Sequence, residues 1–164
     1  MPRLPSIAAA LLLALFATAC GDGNSDDDTE DLVDLNGTWE FTIDVTRANG
    51  VCEGEELDEP SVRPIVVTVA PAAGQPGKVL VTMSGFLGDP ANVASTVRDS
   101  VRLNSVVTVT GEWPEDGGET EATFAMQVRA TDLMQGTEGW EWSRDGSAVD
   151  CPDGLSDVRA TRMD

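Results

Sequence analysis

Gly37-Thr38-Trp39-Glu40-Phe41-Thr42-Ile43-Asp44-Val45-Thr46 is the stretch that decides the fold. Trp39, Phe41, Ile43 and Val45 alternate with Thr38, Glu40, Thr42, Asp44 and Thr46. A period of two is the signature of a strand with one face in a core and the other in water. Working outward, strand-like runs return at Pro64 to Ala70, Lys78 to Phe86, Ser105 to Trp113, Ala122 to Ala130, around Trp140 and Trp142, and at Val158 to Arg162. Turn signals separate them: Pro71 to Gly77, Gly88-Asp89-Pro90, Pro114 to Gly118 and Asp145-Gly146. Asp89 to Leu103 admits two readings. Asp89-Pro90 can open a helix presenting Val93, Val97 and Val101. The β-branched content and a turn at Arg98-Asp99 favour a short strand, which brings the count to about eight. The expected fold class is therefore all-β, a small up-and-down antiparallel barrel over residues 36–164. Closure is preferred to an open sheet because it removes exposed strand edges, with a sandwich as the alternative.

The N-terminus reads differently. Arg3 precedes the run Leu11-Leu12-Leu13-Ala14-Leu15-Phe16-Ala17-Thr18-Ala19-Cys20. The apolar stretch falls short of the about 20 residues that a spanning helix needs. It has the build of a secretory signal. Small residues followed by cysteine resemble the lipobox of bacterial lipoproteins. That resemblance implies a signal peptide over residues 1–19, lipidation of Cys20, and a membrane partner reached through acyl chains. An ordinary secretory signal, with Cys20 incidental, is the alternative. Residues 20–35 then form the lipidated cysteine and an acidic tether. The implied location is the bacterial cell envelope, and Gly21 after the cysteine permits the outer membrane in a diderm organism.

Charge and cysteines narrow the function. The chain carries 29 acidic and 10 basic residues, a net charge of −19. Duplex nucleic acid, which is bound through clustered Lys and Arg, is excluded as a partner. Anionic head groups would also be repelled, so attachment rests on acyl chains. Of three cysteines, Cys20 is taken by lipid; Cys52 and Cys151 remain as a pair in an oxidising compartment, where a disulfide is the default. In an eight-stranded meander the first and seventh connections share one end. Cys52 is expected in the first and Cys151 in the seventh. No histidine is present, which removes Ser-His-Asp, Cys-His and His-metal chemistry. No enzyme activity, cofactor or metal is expected.

Gly37-Thr38-Trp39 at the start of the first strand resembles the Gly-x-Trp motif of the lipocalins and the wider calycin superfamily. The resemblance implies that Trp39 closes one end of the barrel against an arginine from the last strand, with Arg162 the first candidate and Arg159 the second. Thr131-Asp132-Leu133 stands where lipocalins carry Thr-Asp-Tyr. It further implies a barrel that binds a small apolar ligand. Phe124, Met126, Trp140 and Trp142 are the candidate lining residues. The alternative is a structural or interaction lipoprotein with a filled interior and an envelope protein as partner. Acidic residues of three connections are a further candidate, for cation binding: Glu53, Glu55, Glu56, Asp58 and Glu59; Glu115, Asp116 and Glu119; Asp145, Asp150 and Asp153. None of these stretches has the spacing of a calcium loop.

Overall fold

A computed structural model describes residues 31–53, 59–144 and 148–163. Eight strands follow one another: β1 (Gly37–Arg47), β2 (Ser61–Pro71), β3 (Val79–Ser84), β4 (Val93–Arg98), β5 (Val106–Glu115), β6 (Gly118–Ala130), β7 (Leu133–Arg144) and β8 (Ala148–Arg162). Each pairs antiparallel with its neighbour, and β1 pairs with β8 from Trp39↔Arg162 to Arg47↔Leu155, so the sheet closes into a barrel. The expected fold class is the observed one, and it is consistent with the lipocalin/calycin fold.

Alternation fixes which side chains face in. Trp39 and Phe41 of β1, Ile65 and Val67 of β2, Val107 and Val109 of β5, and Phe124, Met126 and Val128 of β6 are all fully buried. Burying side chains of this size is worth roughly 1.5–3 kcal/mol each, which makes this interior the main source of stability. The ambiguous stretch after Asp89 is a strand, Val93–Arg98, as its β-branched residues favoured. It joins β5 through only Ala94↔Gly111 and Ser95↔Thr110. Gly111 is needed at this thin seam, because a Cβ there would lie 2.4 Å from the Val93 carbonyl oxygen.

Two expectations are adjusted. Cys151 lies inside β8 opposite Trp142 rather than in the seventh connection, because β8 begins three residues earlier, at Ala148. Asp150 and Asp153 likewise sit on β8. The stretch expected as tether up to Leu35 joins the body from Asp31 onward. Val33 and Leu35 are buried in the core, and Val33 N–H donates to the Val101 carbonyl at 3.0 Å. The physical reason is composition: Leu32, Val33 and Leu35 interrupt the acids with apolar side chains that gain by burial. Cys20, the signal and residues 20–30 lie outside the described residues.

Candidate functional site

The two barrel ends are built differently. At one end the indole of Trp39 is fully buried and its Nε1–H donates to the Leu35 carbonyl at 2.9 Å. The Arg162 guanidinium lies 5.7 Å from the Trp39 ring centroid. It also donates to the carbonyls of Asp34 (3.0 Å), Thr131 (3.4 Å) and Asn36. Arg162 thus gathers the N-terminal segment, the β6–β7 turn and β1 around one cation. Arg159 is paired with Thr42 and Gln135 farther up the strands.

The other end carries the disulfide. Cys52, in a short 3-10 turn at Gly50–Cys52, is bonded to Cys151, with Cα atoms 5.6 Å apart. The β1–β2 connection is pinned onto β8 by further bonds. Arg47 Nε donates to the Asp153 carbonyl at 2.9 Å, and Asn49 Nδ2 to the Pro152 carbonyl at 3.3 Å. Gly50, at φ +67°, approaches so closely that a Cβ would fall 2.0 Å from the Asp150 carbonyl oxygen.

Between these pinned walls is a cavity of ≈ 480 Å³. Ile43, Val45, Phe86, Trp113, Trp140 and Trp142 form its apolar walls, and Ser61, Arg63, Glu115, Thr120, Glu138 and Ser156 add polar groups. Phe86 comes from the β3–β4 connection, where buried Asn92 holds it by donating from Nδ2 to the Phe86 carbonyl at 2.9 Å. Its ring stacks on Trp113 on one side and on Phe124 on the other, with centroids 4.8 Å apart in both pairs. Trp140 lies against Gly154, its register partner, and a Cβ on Gly154 would meet the indole at 2.2 Å. Trp142 packs in the same way over Gly118, and its Nε1–H donates to the Glu115 carbonyl at 2.9 Å. Arg144 caps the Trp142 ring at 5.5 Å.

Of the four expected lining residues, Trp140 and Trp142 line this cavity. Phe124 and Met126 are fully buried in the packed core, with Phe124 standing behind Phe86. Sequence reasoning missed the polar floor. Glu138 is 8 % exposed. Burial, and less so the charge of Glu115, push its carboxyl up to about 7, against smaller downward pulls from Ser156 and Arg63. Ser156 is its partner across β7–β8, yet no hydrogen bond of ordinary geometry closes on the Ser156 hydroxyl. Trp113 Nε1 is likewise buried without a partner. Buried polar groups are nearly always satisfied, so the unmatched Trp113 N–H and the loosely held Ser156 hydroxyl leave hydrogen-bonding capacity facing this cavity, while the third such atom, Arg98 Nε, lies at the opposite end of the barrel. Phase was the available signal. Glu138 stands in step with Met134, Trp140 and Trp142 on the inward face of β7, and Ser156 in step with Val158 and Ala160 on β8.

Among the described residues no group of three or more cysteine or acidic side chains is placed to hold a metal ion. Glu119 lies on β6, where its carboxyl approaches Glu112 and raises that residue's pKa by a shared hydrogen bond and like-charge repulsion. Glu55, Glu56, Asp58 and Asp145 lie outside the described residues. Comparison with family models, with curated proteins and with solved structures finds no match to this chain.

Proposed function

We propose that this chain is a lipid-anchored envelope lipoprotein whose barrel binds a small apolar ligand in the cavity at its disulfide end. The observation that carries the reading is the cavity itself. Its ≈ 480 Å³ falls within the range of small-molecule sites, and three indoles, Phe86 and aliphatic side chains share its walls with eight polar or charged residues. An eight-stranded barrel either fills with side chains or holds one small ligand. Here the interior is filled at the Trp39 end and vacant at the Trp113 end. The anchor rests on sequence, through the short apolar run and the small residues before Cys20.

Two experiments test the reading. Native mass spectrometry of protein purified from its own host, with tryptophan-fluorescence titration against lipid extracts, is expected to reveal a retained small molecule and a quench reduced in Trp140→Ala. A protein that carries nothing and answers to no apolar compound would refute the binding function. For the anchor, an alkyne fatty acid fed to cells is expected to label the wild type and not Cys20→Ala. Equal labelling of the two would refute it.

A further inference from the structure

The cavity holds a carboxyl group that packing alone does not explain. Glu138 enters from the middle of β7, in the phase of the apolar stripe, and is more than nine-tenths buried. A buried charge is costly unless a counter-charge or hydrogen bonds compensate it. Among the described residues no ion pair reaches Glu138; the one ion pair there, Lys78 to Asp99, is elsewhere on the surface. The charged groups around Glu138 are few. Glu115 from β5 is like-charged, and Asp116 lines the same cavity. Arg63 from β2 is the cation whose field reaches Glu138, and it is the weakest of the four influences on that carboxyl. Arg144 is stacked on Trp142. On β8 the facing residue is Ser156, whose hydroxyl favours the ionised carboxyl at less than ordinary hydrogen-bond geometry and brings no counter-charge. From β6 the register partner is Phe124, which brings no charge.

We propose that the ligand is an apolar molecule bearing one protonated amine, with the ammonium seated between the Glu138 carboxylate and the Ser156 hydroxyl and the hydrocarbon body lying among Trp113, Phe86 and Trp140. This deepens, and rests on, the ligand-binding reading above. The ammonium supplies the missing counter-charge, and donates to the carboxylate and the serine oxygen. Indole and phenyl faces around it add cation–π attraction, which is largest where water is excluded. A net charge of −19 draws cations toward the mouth over long range. An anionic ligand held by Arg63 would instead place another negative charge beside Glu138 and Glu115, and a neutral ligand would add no counter-charge to the weak field of Arg63. Burial holds the free carboxyl near 7, so the amine binds best above that pH and loses affinity as Glu138 takes up a proton below it.

The test uses the full chain in a non-ionic detergent, with protein-free detergent as the blank. Isothermal titration compares phenylbutylamine, phenylbutanol and phenylbutyrate, which share one hydrocarbon body and differ only in the head. The amine is expected to bind at least about tenfold tighter than the alcohol at pH 8, the equivalent of about 1.4 kcal/mol. That preference should collapse in Glu138→Gln, with the alcohol unaffected, and shrink in the wild type at pH 5.5, where the amine is still charged. Amine and alcohol binding equally, or the carboxylate binding tightest, would overturn the amine proposal and leave cavity binding standing. An unchanged preference in Glu138→Gln would also overturn it, because the charge would then be read elsewhere. If none of the three binds, the ligand-binding reading fails with it.

Discussion

Two tryptophans, one at each end of the same barrel, are treated in opposite ways. Trp39 is fully buried, its N–H is bonded to Leu35, and its ring is covered by Arg162. Trp113 is nearly as buried, yet its N–H has no partner and the residue borders empty space. The difference separates two uses of one architecture. The Trp39 end behaves as a core, where volume is filled and the buried indole N–H is matched, with Arg98 Nε the one buried side-chain polar atom there without a partner among the described residues. The Trp113 end keeps an unmatched indole N–H and a carboxyl whose burial outweighs the help of Ser156 and Arg63, and is held in shape by a disulfide. Residues that cost stability without repaying it in packing are the mark of a site kept for something other than folding.

The contrast is broken most severely at the filled end. Trp39→Ala is expected to cost about 3–5 kcal/mol in urea denaturation, as truncation of a large core aromatic does. Trp140→Ala, half-buried at the mouth, should cost no more than about 1 kcal/mol. Equal losses would mean that the two ends are packed alike.

Removing the disulfide with Cys52→Ala and Cys151→Ala together is the next largest effect. The bond closes a loop with a sequence separation of 99, for which chain entropy gives about 4.7 kcal/mol, with any strain subtracting from that. The loss should appear in global stability, and hydrogen exchange should rise around Gly50 and Trp142 before it rises around Trp39. Uniform exchange across both ends would show that the bond does not belong to the mouth in particular.

At Glu138 the expected change has the opposite sign. Its folded pKa stands at about 7 against an ordinary 4.5, so the folded chain keeps a proton that the unfolded chain has shed. Stability from this group is full below about pH 4.5 and falls as pH rises toward about 7, by up to about 3 kcal/mol. Glu138→Gln, which never ionises, should therefore be more stable than the wild type at pH 8 by up to about that amount, and nearly equal to it at pH 4.5. Thermal and urea melts of the pair at the two pH values measure it. A variant less stable at pH 8 would show that the carboxylate is compensated.

The smallest of these effects belongs to Arg162. Arg162→Leu removes donors from three backbone carbonyls in two segments and the cation over Trp39, and should cost about 1–2 kcal/mol in a urea melt. Ligand affinity at the far end should not change. A shift in affinity would couple ends that the structure keeps apart.

The sequence made the frame legible because barrel strands write their period plainly. Trp39 to Val45 alternates without interruption, and the same phase carries into Phe124, Met126 and Val128. Trp39 with Arg162 was legible through its resemblance to lipocalins, because the motif marks both strand ends. The mouth was only half legible. Trp140 and Trp142 stand out as the only aromatics on β7. Phe124 was expected to line a ligand, but alternation gives the inward face and not the depth along the axis; depth depends on the stagger of β6 against β5 and on Phe86 lying over it. Glu138 and Ser156 were passed over because an isolated acid or serine in a Gly- and Thr-rich strand reads as surface. Only the closed barrel shows that their phase points inward. Cys151 was expected in the seventh connection because the last strand was legible only from Val158, whereas β8 starts at Ala148 and carries Pro152 and Gly154 through irregular register beside Trp142.

One end of this barrel is a cavity and the other a closed core, and the four tryptophans report on the difference directly. Trp113, Trp140 and Trp142 line the cavity and Trp39 does not. Fluorine NMR of protein labelled with fluorotryptophan, titrated with neutral phenylnaphthylamine, resolves each indole separately. Saturable shifts of Trp113, Trp140 and Trp142 are expected, with Trp39 unmoved. Shifts led by Trp39, or no saturable shift at any of the four, would contradict this division of the barrel.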